Sequence, residues 1–350
     1  MKKAKKIGRL MTSTLLVLFL LGLTSWAYAA KPIVLRSLVQ APAKAKFSKT
    51  FDAYLDAVEK KSNGRVKFER YYSGALAKAP QILDAIGGGI ADIAVFVATY
   101  TPGKVPLATV GYLPGAYNHV WVAAKAYLEL YETVPAMQKE MAKNNVRLVT
   151  VWGTGPYFIF SKKQLRSLDD IKGLKLAATG QIGLLVKALG ASAVGLPITE
   201  SYTAVDRGTI DGVCYGPSAA AAYSIHEVAK HLFKLRVGGG VGPIGMNLDK
   251  WNSLPSDIQR IMIEVGKEHP RSVEQIYQID GDQSSLMKMK KGGLQVTEPS
   301  AAMQSKVQNI IEQSVWGKWA NDLEKKGQPG NAILKKYQQL LKKYEPMSPF

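Results

Sequence analysis

The sequence predicts an α/β protein of two similar lobes facing each other across a cleft, and three observations carry that prediction. Short β-rich runs alternate with stretches of helical period, the pattern of layered α/β folds. Residues 85–94 (AIGGGIADIA) are echoed by residues 204–213 (AVDRGTIDGV) at a constant shift of 119. The 350 residues are enough for two domains at roughly 150 residues each. In each copy of the echo a helix end is followed by Gly, Asp and a strand. The Gly permits the positive φ that closes a helix, and the Asp bonds the backbone of the turn.

After residue 30 the elements follow in order. Residues 33–38 read as a strand. Phe47, Phe51, Tyr54, Leu55 and Val58 form one apolar stripe on a helix that ends at a left-handed cap, Asn63-Gly64. Residues 65–72 are the next strand. Pro80 opens a short helix over 81–86 that stops at Gly87-Gly88-Gly89, and 90–97 returns as a strand. Helices over 120–130 and 135–144 precede strands at 146–152 and 157–161. The second round gives strand 174–178, helix 182–189, strand 193–196, helix 199–206, strand 212–215 and helix 218–229.

The N-terminus stands apart from this pattern. Lys2, Lys3, Lys5, Lys6 and Arg9 form a basic n-region, residues 15–23 an apolar core, and Ala27-Tyr28-Ala29 an A-x-A exit, so residues 1–29 read as a signal peptide cut after Ala29. The alternative is an uncleaved anchor, since residues 10–30 carry no charge and about 20 helical residues span a bilayer. Either way the expected destination is the periplasm. Removing the segment leaves 41 basic against 27 acidic residues, a charge of +14. The Lys residues are spread along the chain, with modest clusters at 288–291 and in the C-terminal helix, and are not gathered on one face, which argues against a nucleic-acid partner. A solvated face, or one drawn toward anionic lipid headgroups, fits better. Cys214 is alone in an oxidising compartment, has no disulfide partner, and is expected to be buried.

Motifs of catalysis and cofactor binding are missing: no H-E-x-x-H, no Cys/His cluster, no P-loop and no G-x-S-x-G. No cofactor and no metal are expected. His119, His226, His231 and His269 do not share a helical face, and surface or hinge roles are expected for them. Gly240-Val241-Gly242-Pro243-Ile244-Gly245 matches G-x-G-x-x-G, but Pro243 and the polar residues after it argue against a dinucleotide turn and for a Gly-rich hinge.

Several ordered blocks carry a resemblance. Gly88-Gly89-Ile90-Ala91-Asp92, then Tyr100-Thr101-Pro102-Gly103-Lys104-Val105-Pro106-Leu107 and Leu113-Pro114, form the first. Ser167-Leu168-Asp169-Asp170-Ile171-Lys172-Gly173-Leu174-Lys175-Leu176, then Ala188-Leu189-Gly190-Ala191, then the run from Glu200 through Asp211-Gly212 form the second, and Trp251-Asn252-Ser253-Leu254-Pro255 a third. From about Ile33 to Tyr344 the chain resembles the extracytoplasmic solute-binding subunits of TRAP transporters, the DctP type. That resemblance implies a two-lobed periplasmic binding protein fold with hinge strands. Lobe I is expected over 30–150, completed by about 238–290, and lobe II over 151–237. A long helix over 255–289 would span both, and C-terminal helices would fill 300–345. It also implies a monomer that is not an enzyme, which binds a small organic solute and delivers it to TRAP membrane subunits driven by an ion gradient. An ABC-type or other tripartite receptor, a periplasmic enzyme on a two-lobed scaffold and a ligand-sensing partner without transport are the alternatives.

The same resemblance places the site. Where the family carries an Arg that grips a substrate carboxylate in a bidentate pair, this chain has Ala177. Tyr157, Tyr215 and Ile198 stand at other family contact positions, with Gln40, Tyr100, Trp152 and Thr179 as further ligand-binding candidates. Trp152 also fits a plain core position. Such a pocket is expected to be wide, apolar and aromatic, suited to a larger hydrophobic, aromatic or weakly polar solute rather than a simple dicarboxylate. Arg147 and Lys187 are candidate replacements for the missing charge.

Overall fold

The computed structural model describes residues 31–350, so the expected signal segment lies outside the described residues. Eleven strands are present among them: β1 (Ile33–Leu38), β2 (Val66–Tyr71), β3 (Ile93–Val95), β4 (Val146–Gly153), β5 (Tyr157–Ser161), β6 (Lys175–Ala177), β7 (Ser192–Val194), β8 (Gly212–Tyr215), β9 (His231–Gly238), β10 (Val241–Asn247) and β11 (Gln295–Thr297). They form two sheets, ordered β2-β1-β3-β10-β4 and β11-β9-β5-β8-β6-β7. In the first, β1 and β3 are parallel and β10 lies antiparallel to its neighbours β3 and β4. In the second, β6 is parallel to β7 and β8, and β5 lies antiparallel to β8 and β9. Leaving out the edge strand β11, each sheet is a set of three strands, then an antiparallel strand that the chain brings in from the other sheet (β10 or β5), then a fifth strand antiparallel to that one (β4 or β9).

The sequence echo explains why the sheets match. Gly89 and Gly208 both sit at φ +71°, closing the helices Ile82–Gly87 and Ile198–Asp206. Asp92 then accepts the backbone N–H of Arg36 at 2.7 Å, and Asp211 that of Lys175 at 2.8 Å. Their own amides return bonds to the carbonyls of the same residues, at 2.9 and 2.8 Å. Each Asp thus ties the strand it opens to the preceding parallel strand. This satisfies ladder groups that a Gly turn would leave to water.

Two crossovers connect the sheets. Residues 154–156 carry the chain from β4 to β5 and residues 239–240 from β9 to β10. They run side by side: the Thr154 amide donates to the Gly240 carbonyl at 2.9 Å, and the Gly240 amide to Thr154 Oγ1 at 3.1 Å. The Gly-rich segment is therefore only partly hinge. Its bulk is the central strand β10, which accepts Pro243 because the bonding there runs through the proline's carbonyl, from the amide of Phe96. Gly242 is required by contact: a Cβ there would lie 2.9 Å from the Trp152 ring.

A continuous helix bridges both sheets, as Ser256–Val273, a wide-turn π segment Glu274–Asp282, and Gln283–Lys291. At one end Gly266 rests against the Val149 carbonyl, and Thr150 Oγ1 donates to the Gly266 carbonyl at 2.8 Å. At the other, Met289 joins Phe160, Val213 and Leu232 in the core of the second sheet. C-terminal helices add to the bridge: Val307, Ile311 and Val315 pack on the second sheet, while Trp316 donates to the Pro114 carbonyl at 2.9 Å.

Several expectations need correction. The helix expected over 218–229 is two short helices, Pro217–Ala222 and Ile225–Val228, because Ser224 adopts φ +53° and turns the chain. The edge strand β11 was not read from the sequence, and β9 only as a short unbounded strand before Gly240. A short helix does follow β10, Leu248–Ser253, with Asn247 as its cap accepting from the Lys250 amide at 2.9 Å. His269 is neither surface nor hinge. It is fully buried against the Tyr54 ring, and burial pushes its pKa down to about 3.

The close approach of the bridging helix to the first sheet generates a prediction. Gly266→Ala should cost about 1–3 kcal/mol, because the new methyl meets backbone that cannot move aside. Gly317→Ala, in a helix with open space around it, should be neutral or stabilising by under roughly 1 kcal/mol. Thermal melts of both variants check this, and an unchanged midpoint for Gly266→Ala would contradict the packing.

Candidate functional site

Between the sheets lies a cavity of about 70 Å3, measured to water centres. That leaves room for a few waters and is about half of the roughly 150 Å3 of an apolar cavity that takes up benzene. Seven of the eight candidate residues are on its wall: Gln40, Tyr100, Trp152, Tyr157, Thr179, Ile198 and Tyr215. Ala177 is not. Successive strand residues face opposite ways, so Ala178 lines the cavity while Ala177 packs in the apolar cluster of Phe160, Val205 and Val213. Neither proposed replacement charge reaches the wall. Arg147 stacks over Trp251 at 4.8 Å, and Lys187 is exposed in an outer groove beyond Thr99 and Thr179.

Four aromatic wall residues were absent from the candidates, Phe47, Tyr112, Tyr223 and Tyr277; with Tyr100, Trp152, Tyr157 and Tyr215 they bring the cavity to eight rings. Trp152 is the hub. Its indole N–H donates to the Phe96 carbonyl at 2.9 Å, and its ring meets Phe47 and Tyr112 edge-on at 5.0 and 5.7 Å. Tyr157 and Tyr215 make another edge-on pair at 6.1 Å. These added rings make the cavity compact where a wide one was expected. Tyr112 could have been suspected from its place beside Leu113-Pro114. Tyr223 ends an Ala-rich run and Tyr277 lies mid-helix, where a sequence gives no sign of what it faces.

Hydrogen bonds close the cleft from lobe to lobe. Thr99 and Thr179 hydroxyls lie 3.0 Å apart, the Ile198 amide donates to Tyr100 Oη at 3.2 Å, and Gln181 Nε2 donates to Thr109 Oγ1 at 3.0 Å. Gly180 lets Thr99 in, since a Cβ would stand 2.7 Å from its methyl.

The wall carries no Lys, Arg, His, Asp or Glu among the described residues. Burial pushes the Tyr100 phenol up to about 12 and the Cys214 thiol up to about 12, so both stay neutral. Four neutral polar atoms on the wall have no partner close enough for a hydrogen bond: Gln40 Oε1, Tyr112 Oη, Ser218 Oγ and Tyr223 Oη. Buried polar groups are nearly always bonded, so such a cluster marks where a ligand bonds. Behind Ser218 stands Asp282, whose Oδ1 accepts the Ser218 amide at 2.9 Å while Oδ2 is unpartnered, and burial pushes its carboxyl up to about 7. An ionised carboxylate entering this wall would forgo hydration worth several kcal/mol. The amides starting the helix Gly180–Ala188 would return only about 0.3–2 kcal/mol.

Comparisons agree with the two-sheet architecture. The family model described as bacterial extracellular solute-binding protein, family 7 (DctP), matches residues 38–322, and the chain belongs to that family. It is a TRAP-type extracytoplasmic solute-binding subunit. A solute-binding protein of Albidiferax ferrireducens is 27% identical over 271 residues, 74% of this chain and 77% of that one. A TRAP solute-binding protein from Rhodoferax ferrireducens, in complex with copurified benzoate, superposes with TM-score 0.82 at 22% identity, over 90% of this chain and 99% of that one. A marine metagenome TRAP protein specific for aromatic acids, with 3-hydroxybenzoate, gives TM-score 0.82 at 24% identity, over 90% and 100%. No described helix is long and apolar enough to cross a membrane.

The unpartnered hydroxyls generate a prediction. Tyr223→Phe should leave the stability of the ligand-free protein unchanged or raised, because it removes a buried group that has no bond. Tyr215→Phe should cost about 1 kcal/mol, since its hydroxyl lies 3.0 Å from Ser201 Oγ. Denaturant melts of the two variants compare them, and a larger loss for Tyr223→Phe would contradict the assignment.

Proposed function

We propose that the protein is a periplasmic receptor that closes around a one-ring aromatic solute and hands it to TRAP membrane subunits. The observation that carries this reading is the cavity itself: eight rings around one space between the sheets, with hydrogen bonds joining the lobes beside it. Aromatic walls of this kind recognise flat apolar bodies through edge and face contacts. The benzoate and 3-hydroxybenzoate complexes of proteins with the same fold support it. In this reading the lobes are residues 30–150, completed by about 238–290, and 151–237. The signal peptide is cleaved, the receptor acts as a monomer, and it performs no covalent chemistry. Closure follows from binding, because a ligand that touches both lobes stabilises only the closed state. Energy for transport comes from the membrane subunits and an ion gradient.

A thermal-shift series on the mature chain from Ala30 onward tests the reading. A one-ring aromatic solute at about 100 times its Kd should add roughly 2.7 kcal/mol, a rise of a few degrees. Stabilisation by small dicarboxylates alone would overturn it.

A further inference from the structure

The charge of the bound solute follows from what surrounds the cavity, on the premise that the occupant is the aromatic solute proposed above. None of the described wall residues is a cation. Lys187 is in the outer groove, placed to meet a solute arriving rather than one enclosed. Lys46 passes its stem along Gly281. The acid behind the wall, Asp282, is held away from any cation and presses against Gly155 and Ser218. An anion in the cavity would therefore face aromatic rings, neutral hydroxyls and a carboxyl group. A cation would find rings, and a carboxyl that its charge would hold ionised.

The unpartnered polar atoms fit a different occupant. Gln40, Tyr112 and Ser218 are each at most 6% exposed. Gln40 Oε1 is an acceptor awaiting a donor, while the hydroxyls of Tyr112, Tyr223 and Ser218 are donors awaiting an acceptor. We propose that the cavity takes its aromatic solute in an uncharged form, with a donor group bonded to Gln40 and an acceptor group bonded to the hydroxyls of Tyr112, Tyr223 and Ser218. Phenols, benzylic alcohols and aromatic amides belong to this class. An aromatic acid belongs to it only in its protonated form, and takes up a proton from solution when it binds.

Benzamide, benzoate and benzylamine share one shape and differ in charge, so calorimetric titration of the mature chain with each at about pH 7.5 is the test. Benzamide is expected to bind at least about tenfold more tightly than either ion. Benzoate affinity should rise roughly tenfold for each pH unit lowered toward the acid's own pKa, as protonation-coupled binding requires. Gln40→Leu should weaken benzamide about tenfold, the loss of one buried hydrogen bond, while leaving the melting midpoint near that of the parent. Benzoate binding within tenfold of benzamide or tighter, or with an affinity independent of pH, would overturn the proposal. Tightest binding of benzylamine would overturn it too, in favour of a cation paired with Asp282. If none of the three binds, the aromatic reading of the site fails and this inference fails with it.

Discussion

The bonded pair of crossovers, Thr154 against Gly240, is the constraint on which the rest of the structure depends. Each crossover delivers to one sheet a strand whose neighbours in sequence belong to the other. The two sheets therefore meet at a fixed line, the geometry that hinge closure uses. The line is crowded. Tyr117 donates to the Thr154 carbonyl at 3.2 Å and stands where a Cβ on Gly239 would be, and Asp282 stands where one on Gly155 would be. Small residues at the crossovers are thus a consequence of what is pressed against them, and the wall residues Trp152 and Tyr157 flank the first crossover directly.

That wall trades stability for recognition. Trp152 and Tyr215 are satisfied within the protein, through the Phe96 carbonyl and Ser201, and act as fixed surfaces. Gln40, Tyr112, Ser218 and Tyr223 are not, and each unmet buried group carries a cost of about 1–3 kcal/mol that a ligand can relieve. Binding energy is thereby concentrated at atoms contributed by both sheets. In the proposed receptor closure brings them together, so ligand affinity and lobe position become one equilibrium.

Much of the fold was legible in the sequence, because local chemistry and tertiary structure agree there. The repeated helix-Gly-Asp-strand segment marks a turn whose Asp has the same bonding role in both sheets, at Arg36 and at Lys175. The stripe Phe51, Tyr54, Leu55 and Val58 is buried as its spacing implies. Strand β11 and the bounds of β9 escaped because their pairing is with distant strands and their own pattern is weak. The helix break at Ser224 escaped because a left-handed serine has no sequence signature. At the site, residues beside strand ends, such as Gln40, Tyr157 and Thr179, could be placed from topology. Ala177 could not, since one residue of register turns a side chain from cleft to core. Tyr223 sits in the turn after the helix Pro217–Ala222 and Tyr277 in the π segment, and no local pattern encodes which way either faces.

Closure can be observed at the seam itself. The hydroxyls of Thr99 and Thr179 are 3.0 Å apart across the cleft, and Cys214 is buried with its thiol pushed up to about 12, so it does not interfere. In the double variant Thr99→Cys, Thr179→Cys, the rate of disulfide formation under mild oxidation reports how often the lobes meet. The account predicts slow cross-linking of the free protein and a rate at least about tenfold higher with saturating aromatic solute, the signature of a population shifted by differential binding. Equal rates with and without solute would contradict a receptor that closes on its ligand.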